Sequence, residues 1–414
     1  MRTAFVVQRY GERIVGGAEE HARQVAERLV KKCGYEVDIY TTTAINYRTW
    51  ENALPSGASE DAGVRVFRFQ STIRRYWLHF GIINQTFKPI LRQKWWRSVP
   101  GLSRLLFKLE DWWYKMQGPY CPELLKALGS RQDQYQQVFF FTYLYYPCAY
   151  GIEVVHDKAV LIPTAHHEAP FFFSRTEKVM ESVSKILANS EAEARLICKT
   201  YPSVCSKVEI AGMGLDHALA KCLHGDIADN LEKTLKLPQR GYLIYLGRLS
   251  RGKGVDRLIR EFATYINRTG RRLHLFLAGA KDQFFDIPSH PQISYVGVLT
   301  EEEKWQFIAS ALAVVNPSPK DSLSLLVLEA MMMRTPVIVN PRNPVLANYA
   351  ANHDSVFAYR NGAEFAEILD VLNSADWSTR SEKALSDSQT WVRETYSWER
   401  VLGIYQKSLL DAAV

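Results

Sequence analysis

Apolar positions along this chain alternate between two rhythms. Short unbroken apolar runs, such as TAFVVQ (3–8) and EVDIYTT (36–42), are separated by stretches with apolar residues three and four apart. AEEHARQVAERLVKK lies between those two runs and is apolar at 18, 22, 25, 26, 29 and 30, the spacing of an amphipathic helix. Further runs at 64–69, 137–142, 159–164 and 185–189 read as strands of the same kind. The scheme then repeats at 242–247, 273–279, 293–297, 313–318, 336–340 and 355–359. Strand–helix–strand order implies parallel sheets with helices on both faces. The predicted fold class is α/β, with two Rossmann-like doubly wound domains facing across a cleft. The polar, charged stretch from Asp226 to Arg240 marks the boundary. We therefore expect one domain at 1–225, a second at 226–390, and a terminal helix at 391–414 packing back across the junction.

Nothing in the composition points away from a globular protein. No apolar run approaches the ~20 residues that span a bilayer, and the N-terminal apolar segment is too short for a signal peptide. The six cysteines (33, 121, 148, 198, 205 and 222) are scattered without a CxxC pair. That pattern suits free thiols in a reducing compartment, so a cytoplasmic protein is expected, with a peripheral place at the inner face of the plasma membrane as a further option. The net charge of +7 is unevenly spread. No acidic residue occurs between Asp61 and Glu110, while ten arginines and lysines fall there. Trp77, Trp95, Trp96, Trp112 and Trp113 lie in or beside this region. The segment fits either a solvated helical face with core tryptophans or a surface for an anionic membrane. Arg92, Lys94, Trp95, Trp96 and Arg97 are its candidate acceptor or membrane contacts. Nucleic acid is not expected, because no nucleic-acid-binding motif accompanies the charge.

Ligands of open α/β sheets bind at the carboxyl ends of strands, where helix N-termini point outward. Gly16 and Gly17 follow the first strand and precede a helix, so backbone amides there could approach a ligand oxygen; a plain loop-to-helix turn fits equally. The pattern is not GxGxxG, so a dinucleotide is unsupported. GRLSRGKG follows YLIYL and sets Arg248 and Lys253 among glycines, a pair suited to a diphosphate or to an exposed basic loop. NPSPKDSLS leads into the apolar helix LLVLEAMMM. Asp321 and Ser322 are good N-cap types, which would aim the amides of Leu323, Ser324 and Leu325 at a ligand. Glu329, among apolar neighbours, needs a partner, since burying a carboxylate alone costs several kcal/mol or so. In the first half PTAHHEAP places His166 and His167 at a strand end, either to orient a substrate or as satisfied structural histidines. That pair is too few for a metal, no DxD pair is present, and no GxSxG elbow supports hydrolysis.

Taken in order, GGAE, PTAHHE, ANSEAEA, GMGLD, YLGRLSRGKG and SPKDSLSLLVLEAM resemble the family 4 retaining glycosyltransferases of GT-B architecture. The resemblance covers most of the chain and is best from about Ile186 to Leu372. YKMQGPY (114–120) and FFFTYLYYP (139–147) are similar to a polysaccharide-biosynthesis branch of that family. The resemblance implies that Glu329 binds the ribose hydroxyls of a nucleotide and that Asp321 sits near the transferred sugar. It also implies that Arg248 and Lys253 hold the diphosphate and that His166 contacts the donor sugar. The family carries a glutamate where this chain has Asp321, one methylene shorter.

The implied activity is transfer of a hexose, with retention, from a nucleotide diphosphate sugar (UDP by family frequency) to a saccharide or lipid-linked saccharide, without cofactor or metal. A nucleotide-sugar 2-epimerase, and a non-catalytic sugar-nucleotide-binding scaffold at a membrane, share the same plan.

Overall fold

The computed structural model describes residues 1–12, 14, 16–75, 77–216 and 241–411. They fall into two compact units, Met1–Met213 with the last turns from Val401, and Gly214–Arg400. The expected boundary at 225/226 and Cys222 lie outside the described residues.

The first unit is built on strands β1 (Arg2–Val6), β2 (Glu36–Thr42), β3 (Gly57–Asp61), β4 (Val64–Phe69), β5 (Val138–Phe141), β6 (Ala159–Ile162), β7 (Lys185–Ala188) and β8 (Val208–Ile210). They form one sheet in the order β3-β4-β2-β1-β5-β6-β7-β8, parallel except for the β3–β4 hairpin. The central strands are buried on both faces, as in Val138–Phe141 and Ala159–Ile162, which explains their unbroken apolar runs. Every run predicted in this half is a strand. The hydrophobic pattern misses β3 and β8, because GASED is exposed along almost its whole length and β8 is three half-buried residues.

Between β4 and β5 the chain leaves the sheet for a helical section, with helices Trp77–Leu91, Leu102–Gln117 and Pro122–Gly129. The indole of Trp113 ties it together, donating to Asn84 Oδ1 at 3.1 Å and meeting Phe173 edge-on at 5.1 Å.

The second unit has β9 (Tyr242–Leu246), β10 (His274–Ala278), β11 (Ile293–Gly297), β12 (Ala313–Asn316), β13 (Val337–Val339) and β14 (Val356–Ala358). All neighbours in the order β11-β10-β9-β12-β13-β14 are parallel. The chain runs outward from β9 to β11, then returns to the other side of β9 as β12. That reversal is the topological switch point at which doubly wound sheets bind ligands.

The terminal helix Trp398–Asp411 carries its last turns into the first unit. There Tyr405 packs 5.1 Å from Phe139, and Ser408 Oγ donates to Gln137 Oε1 at 2.7 Å. One expectation fails in this unit: Cys198 and Cys205 are joined by a disulfide, while Cys33, Cys121 and Cys148 are free. The chain turns back after helix Glu191–Thr200 and brings the two Cα atoms within 4.8 Å, a closeness that spacing alone does not reveal.

Candidate active site

In the second unit, the ends of β9 and β12 carry a connected polar cluster. A short turn, Arg251–Lys253, follows β9 and closes on Gly254, whose φ is +75°. A Cβ added at Gly254 would lie 2.6 Å from the carbonyl oxygen of Pro317, so only glycine lets this turn approach the end of β12. The approach brings Lys253 Nζ to 2.6 Å from Asp321 Oδ1. Asp321 Oδ2 faces two amides, Asn316 Nδ2 at 3.3 Å and Asn343 Nδ2 at 3.5 Å. Asn316 Nδ2 also donates to Ser324 Oγ at 2.7 Å, and Asn343 caps helix Pro344–Asn352 through Val345 N. The Asp321 side chain is thus largely buried (13% exposed) but engaged on both oxygens. Arg248 stands half-buried at the same strand end, its carbonyl accepting from Tyr245 Oη at 2.9 Å.

The helix that bears Glu329 starts later than the cap-type residues Asp321 and Ser322 suggest. The helix runs Leu325–Met332 and its cap position is Ser324, in the left-handed region at φ 64°. Asp321 and Ser322 lie in the loop before it and do not cap it. The strand end claims Asp321 first, because Lys253 and two amides offer a carboxylate more than a free helix end does. Leu323 is buried there, and its carbonyl accepts from Tyr349 Oη at 2.9 Å.

Glu329 lies five residues into that helix, and its partner is one the sequence reading missed. Lys304, on helix Glu301–Ser310, reaches Glu329 Oε1 at 2.8 Å and Glu301 at 2.7 Å. Burial works against the Lys304 charge, yet Glu329 and Glu301 outweigh it and hold its pKa above the usual value. A ribose is therefore not needed to explain how a carboxylate survives among leucines and methionines. Glu329 Oε2 has no partner among the described residues. Asn316, Asn343 and Lys304 carry a faint signal in the sequence: each is a polar residue placed beside an apolar run.

In the first unit the loop after β6 holds His166, half-buried, with Nε2 3.4 Å from Glu168 Oε1. Glu168 also accepts from Tyr143 Oη at 2.9 Å. Burial would raise the Glu168 pKa, but His166 and Tyr143 outweigh it and the net direction is down. His167 is exposed and packs 5.0 Å from the Phe172 ring. Beneath this loop lies Glu193, which sequence reasoning passed over inside ANSEAEA. Its two oxygens accept from the backbone amides of Ala165 and Asn189, the latter at 2.6 Å. Burial pushes its pKa up to about 7, against those amides and the nearby His166. Glu193 thus ties the strand end that carries His166 to the N-terminus of helix Glu191–Thr200.

Gly16 precedes helix Gly17–Cys33, as expected, in an extended conformation. The reason for its glycine is local packing: a Cβ there would sit 2.2 Å from Glu19 Oε2, part of a buried pair with Arg9 at 2.6 Å. At Gly17 a Cβ would meet open space.

The five basic-segment candidates do not act as one surface. Trp96 is fully buried, 5.1 Å from Phe107, so it contacts neither solvent nor membrane. Arg97 and Lys94 both bind Glu177, an acid from outside the segment. Arg92 is exposed, with its guanidinium 5.0 Å from the Phe172 ring, and Trp95 is 63% exposed.

Residues 240–373 match the family described as Glycosyl transferases group 1. The chain is 22% identical to an uncharacterized glycosyltransferase of Methanocaldococcus jannaschii, over 97% of this chain and 96% of that one. Among solved structures it resembles sucrose-phosphate synthase from Thermosynechococcus elongatus, at a TM-score of 0.67 and 16% identity over the full length of both. It also resembles HepE of Anabaena in complex with UDP-glucose, at a TM-score of 0.61 and 14% identity over 100% and 99% of the two chains. The fold is thus that of GT-B glycosyltransferases, and the stretch that matches the group 1 family lies within the second unit.

Proposed function

We propose that this protein is a retaining glycosyltransferase that moves a hexose from a UDP-sugar to a saccharide or lipid-linked saccharide in polysaccharide biosynthesis. One observation carries the reading: Lys253 pairs with Asp321 at the β9/β12 switch point inside the matched stretch, with Arg248 in the loop that follows β9. The bond between the anomeric carbon and the β-phosphate oxygen breaks, and the nucleoside diphosphate leaves with that electron pair. Lys253 has three N–H donors and spends one on Asp321, so two remain for the growing charge on the phosphate. Arg248 supplies a second fixed cation, and with two cations in place the reaction is proposed to need no metal. The acceptor hydroxyl attacks the same face of the anomeric carbon and gives its proton to the departing phosphate oxygen.

Glu329 presents Oε2 to the ribose hydroxyls, while Lys304 holds Oε1 and so fixes the carboxylate plane. Asp321, pinned by two amides, faces the transferred sugar. The assignment of His166 to the donor sugar rests on the resemblance alone and is tested by His166→Ala turnover. UDP as the donor nucleotide is supported by the HepE likeness, whose structure holds UDP-glucose. Calorimetric titration with UDP, GDP and ADP, without metal, tests the reading. Selective binding of UDP, weakened by Glu329→Gln about 10–100-fold for a lost charged hydrogen bond, is expected. Absence of binding to all three would overturn it.

A further inference from the structure

Seven of the thirteen large apolar side chains exposed among the described residues fall between Ile82 and Trp112. A random scatter of surface hydrophobes needs no explanation, but a concentration in one section marks an interaction site. The section is the helical excursion between β4 and β5, and its charge is one-sided: no acidic residue occurs from 62 to 109.

The two features meet on helix Leu102–Gln117. Its buried side is Leu106, Glu110, Trp113 and Tyr114. Arg104 and Lys108 lie one turn apart on the opposite side, flanked by Leu105 (63% exposed) and Phe107 (44% exposed). Neither cation has an ion-pair partner among the described residues. Contact between Phe107 and Trp96 brings the turn Trp95–Ser98 alongside, so Trp95 belongs to the same section. Here the ordinary partner of such cations, an acidic residue, is spent elsewhere: Glu177 takes Lys94 and Arg97.

We propose that this face docks on an anionic lipid bilayer, with Trp95, Leu105 and Phe107 entering the headgroup boundary and Arg104 and Lys108 meeting lipid phosphates. Interleaved cations and large apolar side chains on a non-spanning helix suit interfacial rather than transmembrane binding. No helix among the described residues is long and apolar enough to cross. The inference rests on the lipid-linked-acceptor reading for its purpose, since docking would bring the protein to such an acceptor, but not for its physics.

The test is co-sedimentation of the full chain with vesicles of phosphatidylcholine alone or mixed with phosphatidylglycerol, at low and at physiological salt. Binding to the anionic vesicles only, weakening with salt, is expected. Arg104→Gln with Lys108→Gln should weaken it about 25-fold at low salt, near fivefold per cation. The triple variant Trp95→Ser, Leu105→Ser, Phe107→Ser should weaken it at least about tenfold. Brominated lipid should quench wild-type fluorescence more than that of Trp95→Phe. Failure of the wild type to bind anionic vesicles, equal binding to neutral ones, or wild-type binding by both variants would each overturn the proposal. So would a wild-type dimer that the triple variant converts to monomer without any vesicle binding, which would make the face a contact between copies. Circular dichroism checks that each variant folds. A UDP titration on the same samples keeps the two readings apart: vesicle binding without UDP binding sinks the donor reading alone, and the reverse sinks this one alone.

Discussion

Replacing Lys304 by methionine keeps the length of the side chain and removes the charge that holds Glu329. The two side chains are 19% and 13% exposed and 2.8 Å apart. At an effective dielectric near 20 their attraction is about 6 kcal/mol, most of it offset by the cost of taking both charges out of water. Breaking such a pair from one side costs about 3–5 kcal/mol when burial is complete. Because both ends retain some water, and because Glu301 is a largely exposed second partner of Lys304, about 2–3 kcal/mol is expected for Lys304→Met. At about 2–4 °C per kcal/mol for a unit of this size, the melting temperature of the second unit should fall by roughly 4–12 °C. Adding Glu329→Gln removes the stranded charge, so the double variant should be more stable than the sum of the single losses by at least about 1 kcal/mol. Scanning calorimetry on the four proteins closes the cycle. A loss below about 0.5 kcal/mol for Lys304→Met, or strict additivity, would show that solvent rather than Lys304 satisfies Glu329.

Gly254→Ala should destabilise by about 1–3 kcal/mol, from a strained φ and a Cβ pressed on the Pro317 carbonyl, and should weaken UDP binding by moving Lys253; unchanged binding by calorimetry would separate the turn from the site. Lys253→Ala should lower UDP affinity about 10–100-fold for one charge-assisted bond, and an unaltered Kd would contradict the diphosphate assignment. Glu193 links stability to pH: its folded pKa of about 7 exceeds the ordinary 4.5 of the unfolded chain. Its contribution is therefore fully present below about pH 4.5 and is lost as pH rises through 7, about 3 kcal/mol in all. Urea unfolding of wild type and Glu193→Gln at pH 5 and pH 8 should show a steeper decline in the wild type, and parallel declines would refute the linkage.

The architecture was legible because the central strands of parallel sheets are buried on both faces, so their apolar runs stand out in the chain. The two edge strands of the first sheet escaped for the complementary reason, as GASED shows: it is exposed along almost its whole length and no apolar run survives. The candidate site of the second sheet was legible too, since glycines and cations follow β9 and polar residues follow β12, and topology dictates where strand ends lie. Helix starts were less so. Asp321 and Ser322 have the chemistry of caps, yet the cap position fell to Ser324, because a cation 68 residues away and two amides competed for the carboxylate.

What the sequence determined by itself is the alternation of strands and helices, the doubling of the α/β unit and the identity of the chemically able residues at strand ends. Local periodicity and residue type encode those properties, and both can be read along one dimension. What only the tertiary structure decided is pairing: Lys304 with Glu329, Lys253 with Asp321, Glu193 with the amides that carry His166, and Cys198 with Cys205. The same holds for exposure, which buried Trp96 and left its neighbour Trp95 in water. A partner's distance and a ring's burial depend on how remote segments are brought together, and no spacing rule along the chain records that.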